Sequence, residues 1–454
     1  MAINHEENLK KVLTLSDCFG MALGQTVGAG VIVLMGLAIG MTGKGVVLAF
    51  IVSSIITTMS SLPMAQMASA IPTTGASYRY ASRLLGAKYG FYWMIGLMLS
   101  KITIALYALS FAQYLQGMVP WINIKLIAFT MLTVFYLANI VGVKTAATAE
   151  KWMTLCKIVA LTIFAVWGMP EVDFVSFNPG AMMPKGADGF FGAVGLLAFA
   201  SSGSTVVAEM GGEMKNPGRD IPLTIIGTTM GVGFFYVAMA FVAAGILPID
   251  DIANKPLTEV AKFILPQPLF YFFMIGGALV AMATTINAIF AWVTKGMIIA
   301  CQDGWLPHSL GAVSKRFGTP HYLLTLFYVI GAVTIISGIS MTEISKVGLG
   351  VLLSVNIIPV LACYQLPKKY PEQYANAPFH MKTSILYPVV ILSAIIMAGQ
   401  AFFLMKDLPQ HLIMLIAGVM ITGLVYVNVV GNSKRFKAIK ESAFYEEAKK
   451  NIQI

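Results

Sequence analysis

Charged side chains are scarce in this 454-residue sequence, where Asp, Glu, Lys and Arg together make up 11% of the residues. Soluble domains carry about 25% charged residues, so the composition excludes a soluble multidomain enzyme. Cysteine is also rare, and the spacing of the four residues fits neither a zinc site nor a disulfide framework. The sequence contains no nucleotide-binding or metal-binding motif, so we expect no cofactor, no metal and no catalysis.

Apolar residues dominate instead, at 57% of the chain, and the mean hydropathy is +0.79. The net charge of +10 would ordinarily suggest a nucleic-acid partner. Here the basic residues are spread over short loops between apolar runs, which argues for a lipid bilayer and against nucleic acid. The composition therefore predicts an all-α polytopic membrane protein.

A bilayer-spanning helix needs about 20 mostly apolar residues, and twelve apolar runs separated by polar loops predict twelve such helices. The predicted spans lie near 15–41, 45–70, 89–118, 124–142, 152–169, 187–211, 222–247, 267–301, 320–338, 342–364, 385–405 and 409–431. The first sixteen residues are polar and the run after them is too long for a cleavable signal peptide, so we expect the first span to remain in the mature chain.

Lys and Arg are distributed unequally between the two sides of these spans. Twenty of them fall in segments on the side of the N-terminus and seven on the opposite side. Because cytoplasmic loops are enriched in Lys and Arg, both termini are predicted to be cytoplasmic, in the cell membrane.

Two spans contain poor helix formers near the middle of the membrane: residues 24–32 (GQTVGAGVI) and residues 199–205 (FASSGST). A glycine-rich stretch is often a close-packing surface, but two of them five spans apart fit an inverted five-helix repeat with broken first and sixth helices. The implied segments are a tail (1–14), two repeats (15–169 and 187–364), two peripheral helices (385–431) and a second tail (432–454).

A broken helix presents unpaired N–H groups where its second half begins and unpaired carbonyls where its first half ends. The N–H end attracts a carboxylate and the carbonyl end attracts an ammonium group. An α-amino acid carries both groups a few ångströms apart. Two facing breaks therefore predict a binding site for the common part of an amino acid.

Four motifs, in order along the chain, resemble those of the amino acid–polyamine–organocation (APC) superfamily of permeases, which have the LeuT-type fold. They are residues 27–32 (VGAGVI), residues 63–78 (PMAQMASAIPTTGASY), residues 209–222 (EMGGEMKNPGRDIP), and residues 301–308 (CQDGWLPH) followed by 317–321 (FGTPH). The resemblance covers the first ten spans. It implies a secondary transporter of amino acids.

The resemblance also implies a set of substrate-binding positions. The N–H groups of Ala29 and Gly30 would bind the carboxylate. The carbonyl of Thr26 and carbonyls near Phe199 and Ser202 would bind the amine, and the Phe199 ring would close over the substrate. An ordinary packing role for Phe199 is the alternative. The full set of implied positions is Thr26, Gly28, Ala29, Gly30, Phe199, Ser202 and Gly203.

Two lysines lie inside predicted spans, where a charge is costly and marks a functional hypothesis. Lys157 matches the place at which several APC permeases carry a lysine instead of a sodium ion, and Thr284 and Thr285 are its expected partners. Lys101 lies deep in the third span. It is interpreted as an ion-paired residue, with Glu209 as a candidate partner, as a residue turned to a helix interface away from the site, or as a cation in the substrate pocket.

Charged residues in the cytoplasmic motifs form either a solvated run or an ion-pair latch. Glu213, Arg219 and Asp303 are the candidate members of the latch.

The sequence thus predicts a sodium-independent amino acid transporter that works by alternating access. Neutral substrates are the first choice, and an acidic amino acid or related anionic compound is the alternative. Proton symport and amino acid exchange both stay open, as does the oligomeric state. The rivals are a channel, for which the sequence contains no charged ring or carbonyl filter, and an amino-acid-binding sensor that does not transport.

Overall fold

The computed structural model describes residues 13–141, 143–314 and 316–433, and every regular element in these ranges is helical. The predicted tails, 1–14 and 432–454, lie outside the described residues except for their inner ends. The first nine helices are α1 (Leu15–Thr26), α2 (Ala29–Thr42), α3 (Val46–Ala70), α4 (Ala76–Tyr80), α5 (Ala87–Ser100), α6 (Thr103–Met118), α7 (Ile124–Val141), α8 (Val143–Gly168) and α9 (Pro179–Met182).

The rest of the described chain supplies twelve further α-helices. They are α10 (Gly186–Ser201), α11 (Pro217–Gly245), α12 (Ile249–Ile252), α13 (Thr258–Ile264), α14 (Gln267–Phe272), α15 (Val280–Gln302), α16 (His321–Ser337), α17 (Met341–Ala362), α18 (Leu366–Lys369), α19 (Pro371–Ala375), α20 (Thr383–Met405) and α21 (Gln410–Gly431). A π-helical segment, Phe273–Leu279, joins α14 to α15, and a 3₁₀ helix, Ser202–Glu209, continues from α10.

The long helices match the predicted spans closely. Within the described ranges, ten helical segments are long and apolar enough to cross a bilayer, which makes the chain a multi-pass membrane protein. The ninth predicted span corresponds to α16, a shorter apolar helix of 17 residues, and the first corresponds to α1 and α2 together. The count of twelve and the division into two repeats stay predictions.

Local sequence explains where several helices begin. Ser340 precedes α17 and its Oγ accepts a hydrogen bond from the N–H of Glu343, while the Glu343 carboxylate accepts from the Ser340 N–H at 3.0 Å. Thr14 and Asp17 make a related pair at the start of α1, where the Thr14 N–H donates to Asp17 Oδ2 at 2.9 Å. Such reciprocal bonds satisfy N–H groups that a helix start leaves unpaired.

The core of the bundle is built from helices that the proposed repeat would relate to one another. Helix α3 packs along α11, and α10 packs against both α2 and α3. At Gly233 of α11 the two helices meet so closely that an added Cβ would lie 2.5 Å from Ser54 Oγ of α3. Small residues at such crossings let the backbones approach.

Contacts between loops define one end of the bundle, called here the N-terminal face. Leu13 pairs with Met214, Thr74 pairs with Met210, and the N–H of Met381 donates to Gln66 Oε1 at 2.7 Å. The neutral amide of Gln66 thus holds the segment that follows α19.

We expect Gly233→Val to destabilise the protein, because the new side chain must displace Ser54 at the crossing of α3 and α11. Overpacking of this kind costs about 1–3 kcal/mol, so the melting temperature of the purified protein should fall. Gly231→Val is the matched control, since Gly231 lies on the same helix and faces open space. Equal melting temperatures for the two variants would contradict the packing described here.

Candidate functional site

The first interruption lies between α1 and α2, at the predicted glycine-rich stretch. Helix α1 ends at Thr26, Val27 and Gly28 are not helical, and α2 begins at Ala29. The first N–H groups of α2, including those of Ala29 and Gly30, therefore have no partner within the helix. An added Cβ on Gly28 would lie 2.3 Å from Thr285 Oγ1, so only glycine permits this approach to α15.

The second interruption is a change of helix type rather than an unwound gap. Helix α10 ends at Ser201 and eight residues of 3₁₀ helix follow, from Ser202 to Glu209. Such helices seldom exceed four residues because their hydrogen bonds are poorly aligned. The backbone hydrogen bonds around Ser202 and Gly203 are therefore weaker than those of a regular membrane helix.

The two interruptions face each other directly. A Cβ added to Gly203 would lie 2.7 Å from the Cα of Thr26, and one added to Gly30 would lie 2.9 Å from the Cα of Ala200. Gly203 thus presses against the backbone of Thr26, and Gly30 presses against the Cα and Cβ atoms of Ala200. The side chain of Phe199 lies outside the described residues, so its predicted gate role stays a prediction.

A cavity of about 160 Å³ adjoins the two interruptions. One water needs roughly 10–15 Å³ by this measure, so the cavity is large enough for several waters or a small solute. It extends from Thr26, Gly30 and Gly203 to Ser77 and Glu209 at the N-terminal face.

Hydrogen-bond acceptors cluster where α1 ends. Gln25 Oε1 and Thr26 Oγ1 are buried and have no hydrogen-bond partner in the described part of the chain. Both residues line the cavity. The Thr26 carbonyl, which was predicted to bind an amine, already accepts from Tyr236 Oη at 2.8 Å and from the Gly28 N–H at 2.9 Å. A carbonyl has two lone pairs, so an ammonium group would have to replace one of these donors.

Lys157 lies fully buried behind the first interruption. Its Nζ donates to the Gly24 carbonyl at 2.6 Å and to Thr284 Oγ1 at 2.8 Å. These bonds tie α8 to both α1 and α15, so the predicted neighbours of Lys157 are brought together. Thr285 lies on the same turn and contacts the interruption through Gly28.

Lys101 occupies a further irregularity, between α5 and α6, and lines the cavity. Its ammonium nitrogen lies 4.4 Å from the centre of the Trp292 ring. The suggested partner, Glu209, instead accepts hydrogen bonds from the N–H and Oγ of Ser77, at 3.1 and 2.6 Å. Trp292 and Ser77 were not among the predicted site residues.

The candidate latch residues have separate partners at the N-terminal face. Glu213 forms a 2.9 Å ion pair with Lys295, and Asp303 accepts a 2.6 Å hydrogen bond from Tyr78 Oη. Burial, and then the charge of Asp303, raises the pKa of Tyr78 well above its usual value, which keeps the phenol protonated as a donor. Arg219 is exposed.

Sequence reasoning missed Gln25, Tyr236 and Trp292. A buried tyrosine hydroxyl needs a hydrogen-bond partner, which was a usable signal for Tyr236. Trp292 is one of many aromatic residues in apolar spans, and nothing in the sequence sets it apart.

Helices interrupted around a shared cavity, inside a helical membrane protein, are typical of secondary transporters. The chain belongs to the amino acid permease family, whose sequence profile matches residues 13–425. It is accordingly a transporter of the amino acid permease type and not an enzyme.

Several curated transporters are similar over most of the chain. The branched-chain amino acid permease BcaP of Bacillus subtilis is 26% identical over 82% of this chain and 84% of its own length. The methylthioribose transporter of the same organism is 25% identical over 90% of both chains. Cationic amino acid transporter 3, mitochondrial, of Arabidopsis thaliana is 24% identical over 70% of this chain and 56% of its own length.

We expect Gly203→Ala to impair both stability and amino acid uptake. Its Cβ would meet the backbone of Thr26, which cannot move aside as a flexible side chain can, and overpacking costs about 1–3 kcal/mol. Gly20→Ala on α1 is the control, because a Cβ there meets no atom within 4 Å. Melting temperature and uptake into proteoliposomes measure the effect, and identical behaviour of the two variants would mean that the interruptions are not in contact.

Proposed function

We propose that this protein is a secondary active transporter that carries L-amino acids across the cell membrane by alternating access. The observation that carries the proposal is the contact between the two interruptions beside one cavity. The N–H groups of Ala29 and Gly30 bind the substrate carboxylate. Acceptors at the other side of the break, Gln25 Oε1, Thr26 Oγ1 and carbonyls near Ser202, receive the ammonium group.

Transport is proposed to be independent of sodium. The Lys157 ammonium supplies one positive charge between α8, α1 and α15, and its bonds to Gly24 and Thr284 support this role. A fixed cation at this position links the interrupted helix to the rest of the bundle as a bound metal ion would.

Alternating access requires contacts at the N-terminal face that break and reform. The Glu213–Lys295 ion pair joins the segment after α10 to α15, and the Tyr78–Asp303 hydrogen bond joins α4 to the end of α15. These two contacts are the proposed inner gate. Arg219 adds a cation at the start of α11. The excess of Lys and Arg on this face supports placing both termini in the cytoplasm.

The substrate side chain is a separate question from the common amino acid group. The named substrates of the three relatives differ widely in charge and shape, so membership of the family leaves the side chain open. Neutral amino acids are the first choice from the sequence. The buried Lys101 ammonium in the cavity supports the second candidate, an acidic amino acid or a related anionic compound.

Uptake by the purified protein in proteoliposomes tests the proposal. We expect labelled amino acid to accumulate or exchange in buffers that contain potassium in place of sodium. Lys157→Ala should reduce uptake about 5- to 150-fold, since removing a buried donor and leaving the Gly24 carbonyl without it costs about 1–3 kcal/mol. Lys406→Ala is the control, because Lys406 pairs with the mostly exposed Asp188.

Three outcomes would count against the proposal. Binding without accumulation or exchange would support a sensor, and strict dependence on sodium would overturn the role given to Lys157. Unchanged uptake in Lys157→Ala would remove the structural basis for sodium independence.

The same assay separates the two modes of transport that the proposal allows. Exchange that requires internal amino acid would identify an antiporter, and accumulation driven by a pH gradient would identify a proton symporter.

A further inference from the structure

The third membrane span is interrupted at Lys101. Helix α5 ends at Ser100 and α6 begins at Thr103, while the Lys101 N–H donates to the Met98 carbonyl at 3.1 Å instead of continuing the regular ladder. The side chain is 4% exposed and lines the cavity beside the two interruptions. The Lys101 ammonium therefore lies where it can contact a ligand bound in the cavity.

Among the described residues the Lys101 ammonium is not held in an ion pair, although the charge of Glu209 acts on it. It lies over the ring of Trp292, and no ion pair joins it to a carboxylate among the residues that the structure describes. Glu209 lines the same cavity but receives two hydrogen bonds from Ser77. A cation–π contact compensates only part of the desolvation of a buried charge, so a negative group in the cavity would be stabilised there.

Two further donors line the cavity with Lys101. The indole N–H of Trp292 is buried and finds no acceptor among the described residues. Trp93 Nε1 donates to Asn356 Oδ1 at 2.9 Å, and because an indole N–H is a donor only, this bond fixes the amide with its NH₂ group as a donor. An ammonium, an indole N–H and an amide NH₂ are all complementary to a carboxylate.

We propose that Lys101, with Trp292 and Asn356, forms an anion-binding subsite for the substrate side chain, so that the transported amino acid is acidic. This inference rests on the proposed function, because it takes the interruptions to hold the common amino acid group. It replaces the neutral first choice with the anionic class.

Ligand panels on the full-length protein test the subsite. We expect L-glutamate or L-aspartate to raise the melting temperature, and to compete for uptake at least tenfold more strongly than the isosteric L-glutamine and L-asparagine. L-Lysine and L-arginine should not compete. Bound ligand stabilises the native state by mass action, so the melting shift reports binding without transport.

Lys101→Met should abolish the tenfold preference for the acid over its amide. Lys88→Met is the matched control, because Lys88 lies on α5, the helix that precedes Lys101, and its Nζ bonds to Asn428 and Asn432 outside the cavity. Lys101→Arg keeps the positive charge and should keep the preference. If Lys101→Met does not fold, the panel on the unaltered protein decides alone.

Failure of the subsite is distinguishable from failure of the proposed function. If neutral amides bind as well as the acids, or if Lys101→Met keeps the preference for the acid, the subsite is overturned and the amino acid transporter stands. If none of the twenty amino acids binds or is taken up, the proposed function itself fails.

Discussion

The structure depends on one constraint: backbone N–H and C=O groups inside a bilayer must find partners within the protein. Continuous helix satisfies this automatically, so an interruption is tolerated only where other groups or a cavity meet the freed backbone. Here the interruption at Val27 and Gly28 is compensated by the hydroxyl of Tyr236 and the ammonium of Lys157. The N–H groups at the start of α2, which have no partner within the helix, are the ones proposed to bind a substrate carboxylate.

Close packing of glycines explains why both interruptions sit at one place. Gly203 meets the backbone of Thr26, and Gly30 meets the backbone of Ala200, so each broken helix presses on the other. This arrangement puts two sets of backbone dipoles within reach of one small solute. An amino acid bound there would bridge the two interrupted helices, α1–α2 and α10 with its 3₁₀ continuation, and so hold them together.

Much of this arrangement could be predicted from the sequence, because its causes are local. Three glycines in seven residues mark a weak helix, and a lysine in the middle of an apolar span must find partners, as Lys157 does. The irregularity at Lys101 was not predictable, since neither glycine nor proline marks it. Partners such as Trp292 and Tyr236 also escaped prediction, because tertiary packing alone selects them from many aromatic residues in apolar spans.

Recognition of the amino acid's own main-chain groups is the central claim, and competition with analogues that lack one group tests it most directly. The reference substrate is the amino acid that gives the largest melting shift; the competitors are its decarboxylated amine and its acid without the α-amino group. The account predicts that neither analogue competes for uptake at concentrations where the unlabelled amino acid competes fully. Full competition by either analogue would contradict it, because the facing interruptions would then not bind both groups.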